Sequence, residues 1–128
     1  MLYLCLSRAC AVAELERSGS RTPIGVEGLL PRHLYTYEVA LDRVLDLTDA
    51  EVRASIGIEI ERLVEGDHTT CRALGVAAHA LGFRAVRTPS ATGISEVLGV
   101  FVQNIGQGTL EPARAETWTI LSDLRAPT

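Results

Sequence analysis

The sequence predicts a mixed α/β domain whose sheet is partly antiparallel and flanked by helices. Short runs of β-forming residues first alternate with helical patterns, and further strand patterns then follow one another near the C-terminal end. Strands without helices between them favour a mixed sheet over a purely parallel one. The 128 residues are 47% hydrophobic and 22% charged, which fits one globular domain, and we assign residues 1–128 to it.

The N-terminal half is predicted to hold a strand, a helix, a long loop and a second extended segment. The apolar run Leu2–Leu6 is typical of a buried strand, and Ser7 can cap a helix over residues 8–17. Residues 18–32 are rich in glycine and proline and predict a loop that can include one helical turn. Alternating β-formers over residues 33–47 predict a second extended segment.

The C-terminal half is predicted to contain two helices and three strands. A short helix over residues 50–56 is expected to end at Gly57. Apolar residues at i, i+3, i+7 and i+10 predict a second helix with a buried stripe of Cys71, Leu74, Ala78 and Leu81. Candidate caps for this helix are Asp67, Thr69, Thr70 and, at its end, Gly82. The predicted strands cover residues 83–88, 97–103 and 117–121.

Composition and charge exclude several classes of function. The net charge of −4 and the pI near 5.3 argue against direct nucleic-acid binding. No apolar run approaches the ~20 residues of a membrane span, and the apolar start is too short for a signal peptide. Three cysteines fit a reducing compartment, so we expect a cytoplasmic protein. All twelve basic residues are arginine, which hints at a GC-rich bacterial gene.

General catalytic and metal-binding motifs are missing from the sequence. His33, His68 and His79 have no ligand partner at convincing metal-site spacing. There is no phosphate-binding P-loop, no dinucleotide fingerprint and no nucleophile elbow. We therefore expect neither a metal nor a bound cofactor, and the residue pattern alone leads only to an α/β domain.

Five stretches, taken in order, resemble the RES domain family, which is named for its Arg, Glu and Ser. The first joins a tyrosine on a strand to an Ala-x-x-Glu pattern on the next helix, and the others resemble its Leu-Asp-Leu, Ala-Arg-x-Leu-Gly, Pro-Ser-Ala and final-strand elements. They occupy residues 2–14, 44–49, 71–83, 86–91 and 97–104. The likeness covers about residues 2–121 and depends on the order and spacing of the pieces.

The resemblance implies a fold similar to ADP-ribosyltransferases of the diphtheria-toxin type. It also implies a toxin that degrades NAD, by hydrolysis or phosphorolysis of the nicotinamide–ribose bond, so that NAD is a substrate and not a cofactor. Such toxins are neutralised by an antitoxin with an Xre-like part, and homo-oligomers are compatible with the family. A catalytically inactive RES-like module that only binds a protein partner is the alternative, and an unrelated small α/β domain is a third reading.

Three residues match the family's functional positions. Tyr3 would stack on the nicotinamide ring, Glu14 would hold a ribose hydroxyl and stabilise the cation formed at the ribose, and Ser90 would donate a hydrogen bond to the nucleotide. The family's arginine lies upstream of the tyrosine, in a segment of the Gly-x-Arg-Trp-Asn type, and no arginine of this chain matches it, including Arg8, Arg21 and Arg32. Relative to the family, we therefore expect a domain shortened at its N-terminus.

Each of these residues also has a purely structural interpretation. Tyr3 fits a half-buried strand tyrosine whose hydroxyl contacts water or a carbonyl. Glu14 fits a solvated glutamate that pairs with Arg17 at i+3. Ser90 follows a proline and could cap a turn. The residues alone leave these interpretations open beside the functional ones.

Overall fold

The computed structural model describes residues 1–64, 69–106 and 109–125. In these ranges the chain forms six strands and five α-helices. The strands are β1 (Leu2–Cys5), β2 (Arg32–Val39), β3 (Val44–Asp46), β4 (Ala85–Pro89), β5 (Glu96–Val100) and β6 (Leu110–Trp118). The helices are α1 (Arg8–Ser20), α2 (Ala50–Ile56), α3 (Glu61–Val64), α4 (Thr69–Ala80) and α5 (Leu121–Arg125).

The main sheet has four strands in the order β1-β5-β4-β3. β5 is antiparallel to both β1 and β4, whereas β3 is parallel to β4. The mixed, partly antiparallel sheet predicted from the sequence is therefore confirmed. In this register Gly99 of β5 lies between Tyr3 of β1 and Val86 of β4.

A second sheet consists of β2 and β6 alone, which pair antiparallel along their full lengths. The register shifts at Thr36 and Tyr37, opposite the stretch that holds Pro112, which has no N–H to donate to a ladder. The predicted strand over residues 117–121 is right for Thr117 and Trp118 and wrong for the rest, because β6 ends at Trp118 and a helix starts at Leu121. The proline, the two alanines and the three charged residues of β6 obscure the alternation by which strands are recognised.

The extended segment predicted over residues 33–47 is two strands in different sheets. β2 ends at Val39 and pairs with β6, whereas β3 starts at Val44 and pairs with β4. Between them Arg43 has a φ of 54°, in the left-handed region, so the chain changes direction there. Alternation alone could not show this break, because both halves carry β-forming residues.

Helix α1 begins as predicted and runs further. The Ser7 side chain accepts a hydrogen bond from the backbone N–H of Cys10 at 3.0 Å, so the predicted cap is confirmed. The helix continues to Ser20 through Gly19, where a Cβ would lie 2.6 Å from the backbone nitrogen of Val26. This glycine allows the following loop to pack against the helix instead of ending the helix.

The helices after α1 confirm the predictions from the sequence in part. α2 covers the predicted residues and ends at Gly57, whose φ is 72°. α4 begins at Thr69 and ends at Ala80, so Leu81 of the predicted stripe lies beyond the helix and is 70% exposed. Asp67 lies outside the described residues. The predicted strand 97–103 ends at Val100, and a 3-10 turn, Val102–Asn104, follows it.

Two apolar clusters hold α1 and α4 in place on the sheets. One contains Leu47, Leu63, Ala78, Val86 and Phe101, and it packs α4 against β4. The other contains Val12, Trp118 and Leu124, and it fastens α1 to the C-terminal part of the chain. Burial of such side chains contributes roughly 1.5–3 kcal/mol each.

Arg8 adds a polar connection to the second cluster. Its guanidinium donates to Glu116 Oε1 at 2.7 Å and to the backbone carbonyl oxygens of Asp123 and Leu124 at 2.7 and 2.9 Å. It also lies over the Trp118 ring, 5.3 Å from the ring centre. One side of α1 is thereby fixed, and its other side is directed towards the end of β4. Within the described residues, none of the helices is long and apolar enough to cross a membrane.

Candidate active site

Two of the three residues singled out by sequence are in direct contact. Glu14 lies in α1, and Ser90 follows directly after β4. The Ser90 hydroxyl donates a hydrogen bond to Glu14 Oε1 at 2.7 Å. Tyr3, on β1, lines the same cavity as Glu14. The structure therefore brings the three positions to one region of the molecule.

The loop after β4 determines the position of the Ser90 side chain. Ser90 is only 2% exposed, and its backbone N–H donates to the carbonyl of Ser95 at 3.2 Å. Its Oγ lies 3.2 Å from the donating backbone nitrogen of Thr92 and 2.7 Å from the Thr92 hydroxyl. With both Thr92 groups donating, the one Ser90 hydrogen remains for Glu14. The hydroxyl is thus held as a donor to the carboxylate.

The Ser90 hydroxyl has a hydrogen-bond partner within the chain. The family resemblance implies a hydrogen bond from Ser90 to the nucleotide, whereas here the hydroxyl donates to Glu14. The neighbours Pro89 and Ala91 line the cavity, and Ser90 itself lies behind its wall. In this structure Ser90 therefore holds the Glu14 carboxylate through a hydrogen bond from outside the cavity lining.

The cavity beside Glu14 has a volume of about 900 Å³. Its size is in the range of pockets for small molecules and cofactors, roughly 300–1,000 Å³. Much of its wall is apolar, and the buried side chains of Leu47, Val86 and Phe101 contribute to it. An apolar wall beside the oriented carboxylate of Glu14 is suited to a ligand that carries both rings and polar groups.

Tyr3 faces open space at this cavity. The tyrosine is 69% exposed, which is more than its structural interpretation as a half-buried residue requires. Its cross-strand partner is Gly99, where a Cβ would lie 3.5 Å from the Tyr3 ring and 2.7 Å from the Met1 sulfur. The glycine therefore leaves room for Met1 and the tyrosine ring at the cavity wall.

Two cavity residues were not identified from sequence. Arg17 of α1 and Arg72 of α4 both line the cavity. Arg17 lies three residues after Glu14, a spacing that also suggests a surface ion pair, but the carboxylate of Glu14 accepts its hydrogen bond from Ser90. Arg72 follows Cys71 in the helix pattern, and nothing in the pattern distinguishes it from a solvated arginine.

His33 and His79 each contact another side chain of the fold. His33 Nδ1 lies 3.1 Å from the Thr117 hydroxyl across the second sheet. His79 lines the cavity and contacts the Phe101 ring edge to face, with centres 5.3 Å apart. His68 lies outside the described residues. Among the described residues, no group of three or more potential ligands is placed to hold a metal ion.

A thiol lies close to the candidate site. Burial raises the pKa of Cys5 to about 12, with smaller contributions from its contact with Cys10 and from the charge of Glu14. Cys10 is fully buried in α1, one turn before Glu14. Both sulfurs are free thiols in the reduced form and pack as small apolar groups.

Known proteins resemble this chain in sequence. The family model described as the RES domain matches residues 1–123. NAD(+) phosphorylase MbcT from Mycobacterium tuberculosis and from Mycobacterium bovis is 30% identical over 129 residues, which is 98% of this chain and 69% of each relative.

A solved structure shares the fold. The crystal structure of the M. tuberculosis MbcT–MbcA toxin–antitoxin complex contains a chain that superposes with a TM-score of 0.78 at 28% identity. The match covers 92% of this chain and 66% of that chain, so the present chain spans about two thirds of its length. The extent of the family match and this shared fold lead to one conclusion: the chain belongs to the RES domain family.

Proposed function

We propose that this chain degrades NAD by cleaving the bond between nicotinamide and ribose, with inorganic phosphate as the acceptor. The observation that carries the proposal is the Glu14 carboxylate, which Ser90 orients beside a cavity that Tyr3 also lines. The sequence identity of 30% to the mycobacterial NAD(+) phosphorylases supports the same reaction.

Glu14 would stabilise the charge that develops on the ribose. As the carbon–nitrogen bond breaks, its electron pair moves to the nicotinamide nitrogen and neutralises the pyridinium. The ribose is left with oxocarbenium character, and a fixed carboxylate nearby favours this positive charge. Groups preorganised towards developing charge typically contribute on the order of 10²–10³ in rate. A carboxylate oxygen of Glu14 would also accept a hydrogen bond from a ribose hydroxyl.

Tyr3 and Ser90 would act before the bond breaks. The exposed ring of Tyr3 would stack on the nicotinamide and position it beside Glu14. The buried Ser90 hydroxyl would restrict the carboxylate to one orientation, so that it need not be reordered during the reaction.

A phosphate oxygen would then complete the reaction. Its lone pair forms a bond to the ribose carbon that nicotinamide has left, and the products are nicotinamide and ADP-ribose 1″-phosphate. With water as the acceptor, the second product would instead be ADP-ribose. The relatives' activity as NAD(+) phosphorylases favours phosphate.

The proposed biological role is that of a toxin controlled by an antitoxin. The structural relative was solved as a toxin–antitoxin complex, which supports a protein partner of this kind. From the family resemblance we propose an antitoxin with an Xre-type part, and the cytoplasm, where NAD is abundant, as the place of action.

The products of an NAD incubation test this proposal. The purified chain is incubated with NAD, with and without phosphate, and followed by proton and phosphorus NMR. We expect nicotinamide and ADP-ribose 1″-phosphate, with turnover that rises with phosphate concentration. Equal release of ADP-ribose in either buffer would contradict phosphate as the acceptor. A folded chain that releases no nicotinamide would overturn the proposal that the chain is an enzyme. That result would favour a RES-like module that only binds a protein partner.

A further inference from the structure

The described residues that line the cavity beside Glu14 have a net charge opposite in sign to that of the whole chain. The chain has a formal net charge of −4. Among the described residues that line the cavity, the charged ones are Arg17, Arg72 and Glu14, so two positive charges face one negative charge in this part of the chain. A local reversal of sign in a cleft attracts anionic ligands and concentrates them there.

Neither guanidinium is used elsewhere in the described part of the chain. Four other arginines form ion pairs with carboxylates: Arg8, Arg84, Arg87 and Arg125. Arg17 and Arg72 have no ion pair or side-chain hydrogen bond to any described residue. Their donors are therefore available to a ligand in the cavity.

The two arginines come from separate walls. Arg17 lies one helical turn after Glu14 on α1, so it is on the same side of that helix. Arg72 lies in the first turn of α4, beside the cavity residues Leu74 and Gly75. A ligand that reaches both would contact Glu14 with one part and the guanidiniums with another.

We propose that Arg17 and Arg72 bind phosphate oxygens of the ligand in this cavity. A planar guanidinium donates paired hydrogen bonds that match the spacing of phosphate oxygens. This inference rests on the proposed function in so far as NAD supplies the anion. The phosphate comes from the pyrophosphate of the dinucleotide or from the inorganic phosphate acceptor, and the two sources are separable by experiment.

Calorimetric binding tests the assignment without any turnover. ADP-ribose and inorganic phosphate serve as two separate probes, and the variants are Arg17→Gln and Arg72→Gln. Arg21→Gln is the matched control, because Arg21 follows the same helix α1 but does not line the cavity. Folding of every variant is checked by its thermal melting curve.

We expect each cavity variant to weaken binding of at least one probe about tenfold or more, which is typical for a lost hydrogen bond to a charged group. Weaker binding of ADP-ribose identifies the pyrophosphate, and weaker binding of inorganic phosphate identifies the acceptor. Arg21→Gln should change neither. Unchanged affinities for both probes in a folded Arg17→Gln or Arg72→Gln protein would overturn the assignment of that residue.

Lysine variants provide a second test if a glutamine variant does not fold. Arg17→Lys and Arg72→Lys keep the charge but lose the planar pair of donors, so we expect a smaller loss of affinity. Lysine variants that bind both probes as tightly as the wild type would contradict paired guanidinium contacts. A chain that binds ADP-ribose through these arginines but releases no nicotinamide would refute the proposed reaction and leave the anion site standing.

Discussion

The hydroxyl of Ser90 lies 2.7 Å from Glu14 Oε1, although the two residues are 76 positions apart in the chain. This hydrogen bond connects α1 to the loop after β4, across the edge of the cavity. It fixes the direction of the one carboxylate that lines the cavity among the described residues. The chemistry proposed for the chain depends on this contact.

Removal of the Ser90 hydroxyl should reduce turnover more than substrate binding. We expect Ser90→Ala to lower kcat about 10- to 100-fold with a smaller change in KM, because Glu14 loses its preferred orientation. The buried hydroxyl should also contribute about 1 kcal/mol to the free energy of unfolding. Steady-state kinetics of nicotinamide release and urea denaturation measure the two effects.

A double variant separates positioning from general damage. If Ser90 acts through Glu14, then Ser90→Ala should cost little further activity in a Glu14→Gln background. Fully additive losses in the double variant would show that Ser90 acts independently of the carboxylate.

A side chain at Gly99 should disturb the cavity and not the fold. In Gly99→Ala the new methyl group would meet the Met1 sulfur and approach the Tyr3 ring. We expect KM for NAD to rise severalfold, because Met1 would be displaced into the space where the ligand binds. Gly106→Ala is the control, since a Cβ there meets no atom within 4 Å. Equal KM values for the two variants would argue against a ligand beside Tyr3.

The stability of the fold should fall in acid partly through Glu116. The hydrogen bond from Arg8 lowers the pKa of Glu116, with a further contribution from Trp118. A carboxyl group with a lowered folded-state pKa stabilises the protein above its unfolded pKa, and this contribution is lost as the pH falls through the folded value. We therefore expect the urea concentration at the midpoint of unfolding to be lower at about pH 3 than at pH 7. The lower pH is chosen because it lies below the usual glutamate pKa of about 4.3.

Glutamine substitutions identify the group responsible for this pH dependence. Glu116→Gln should lower the midpoint at pH 7 and reduce the further drop in acid. Glu111→Gln, at an exposed position on the same strand, is the control. Identical acid profiles for wild type and Glu116→Gln would contradict the role given to the contact with Arg8.

The thiol of Cys5 should resist alkylation in the folded protein. Because its pKa is raised to about 12, the reactive thiolate is scarce near pH 8. We expect iodoacetamide to modify Cys5 at least about tenfold more slowly in the native chain than in urea-unfolded chain. Mass spectrometry of peptides locates the modification. Similar rates of modification in the two states would show that the Cys5 thiol is not buried and that its pKa is not raised.

Local features of the fold could be predicted from the sequence. The cap at Ser7 and the end of α2 at Gly57 were predictable, because each depends on residues within one helical turn. The family motifs also selected Glu14 and Ser90, which the structure places in contact. The contact itself was not predictable from either residue, since it depends on how α1 lies against the end of β4.

Features that depend on tertiary packing were missed. β6 contains Pro112 and few apolar residues, so its pairing with β2 is visible only in the folded chain. Arg17 and Arg72 are ordinary helix arginines by spacing, and only the fold brings them to one cavity. The helix pattern likewise could not show that Leu81 lies beyond the end of α4 and is exposed.

Nicotinamide release by Glu14→Gln, compared with Glu16→Gln, tests the central claim most directly. Glu16 lies on the same helix but pairs with Arg125 at 2.8 Å and does not line the cavity beside Glu14. With both variants folded, we predict that Glu14→Gln loses at least about 100-fold in kcat, as for other groups aimed at developing charge, while Glu16→Gln keeps the wild-type rate. Wild-type turnover by Glu14→Gln would contradict the account.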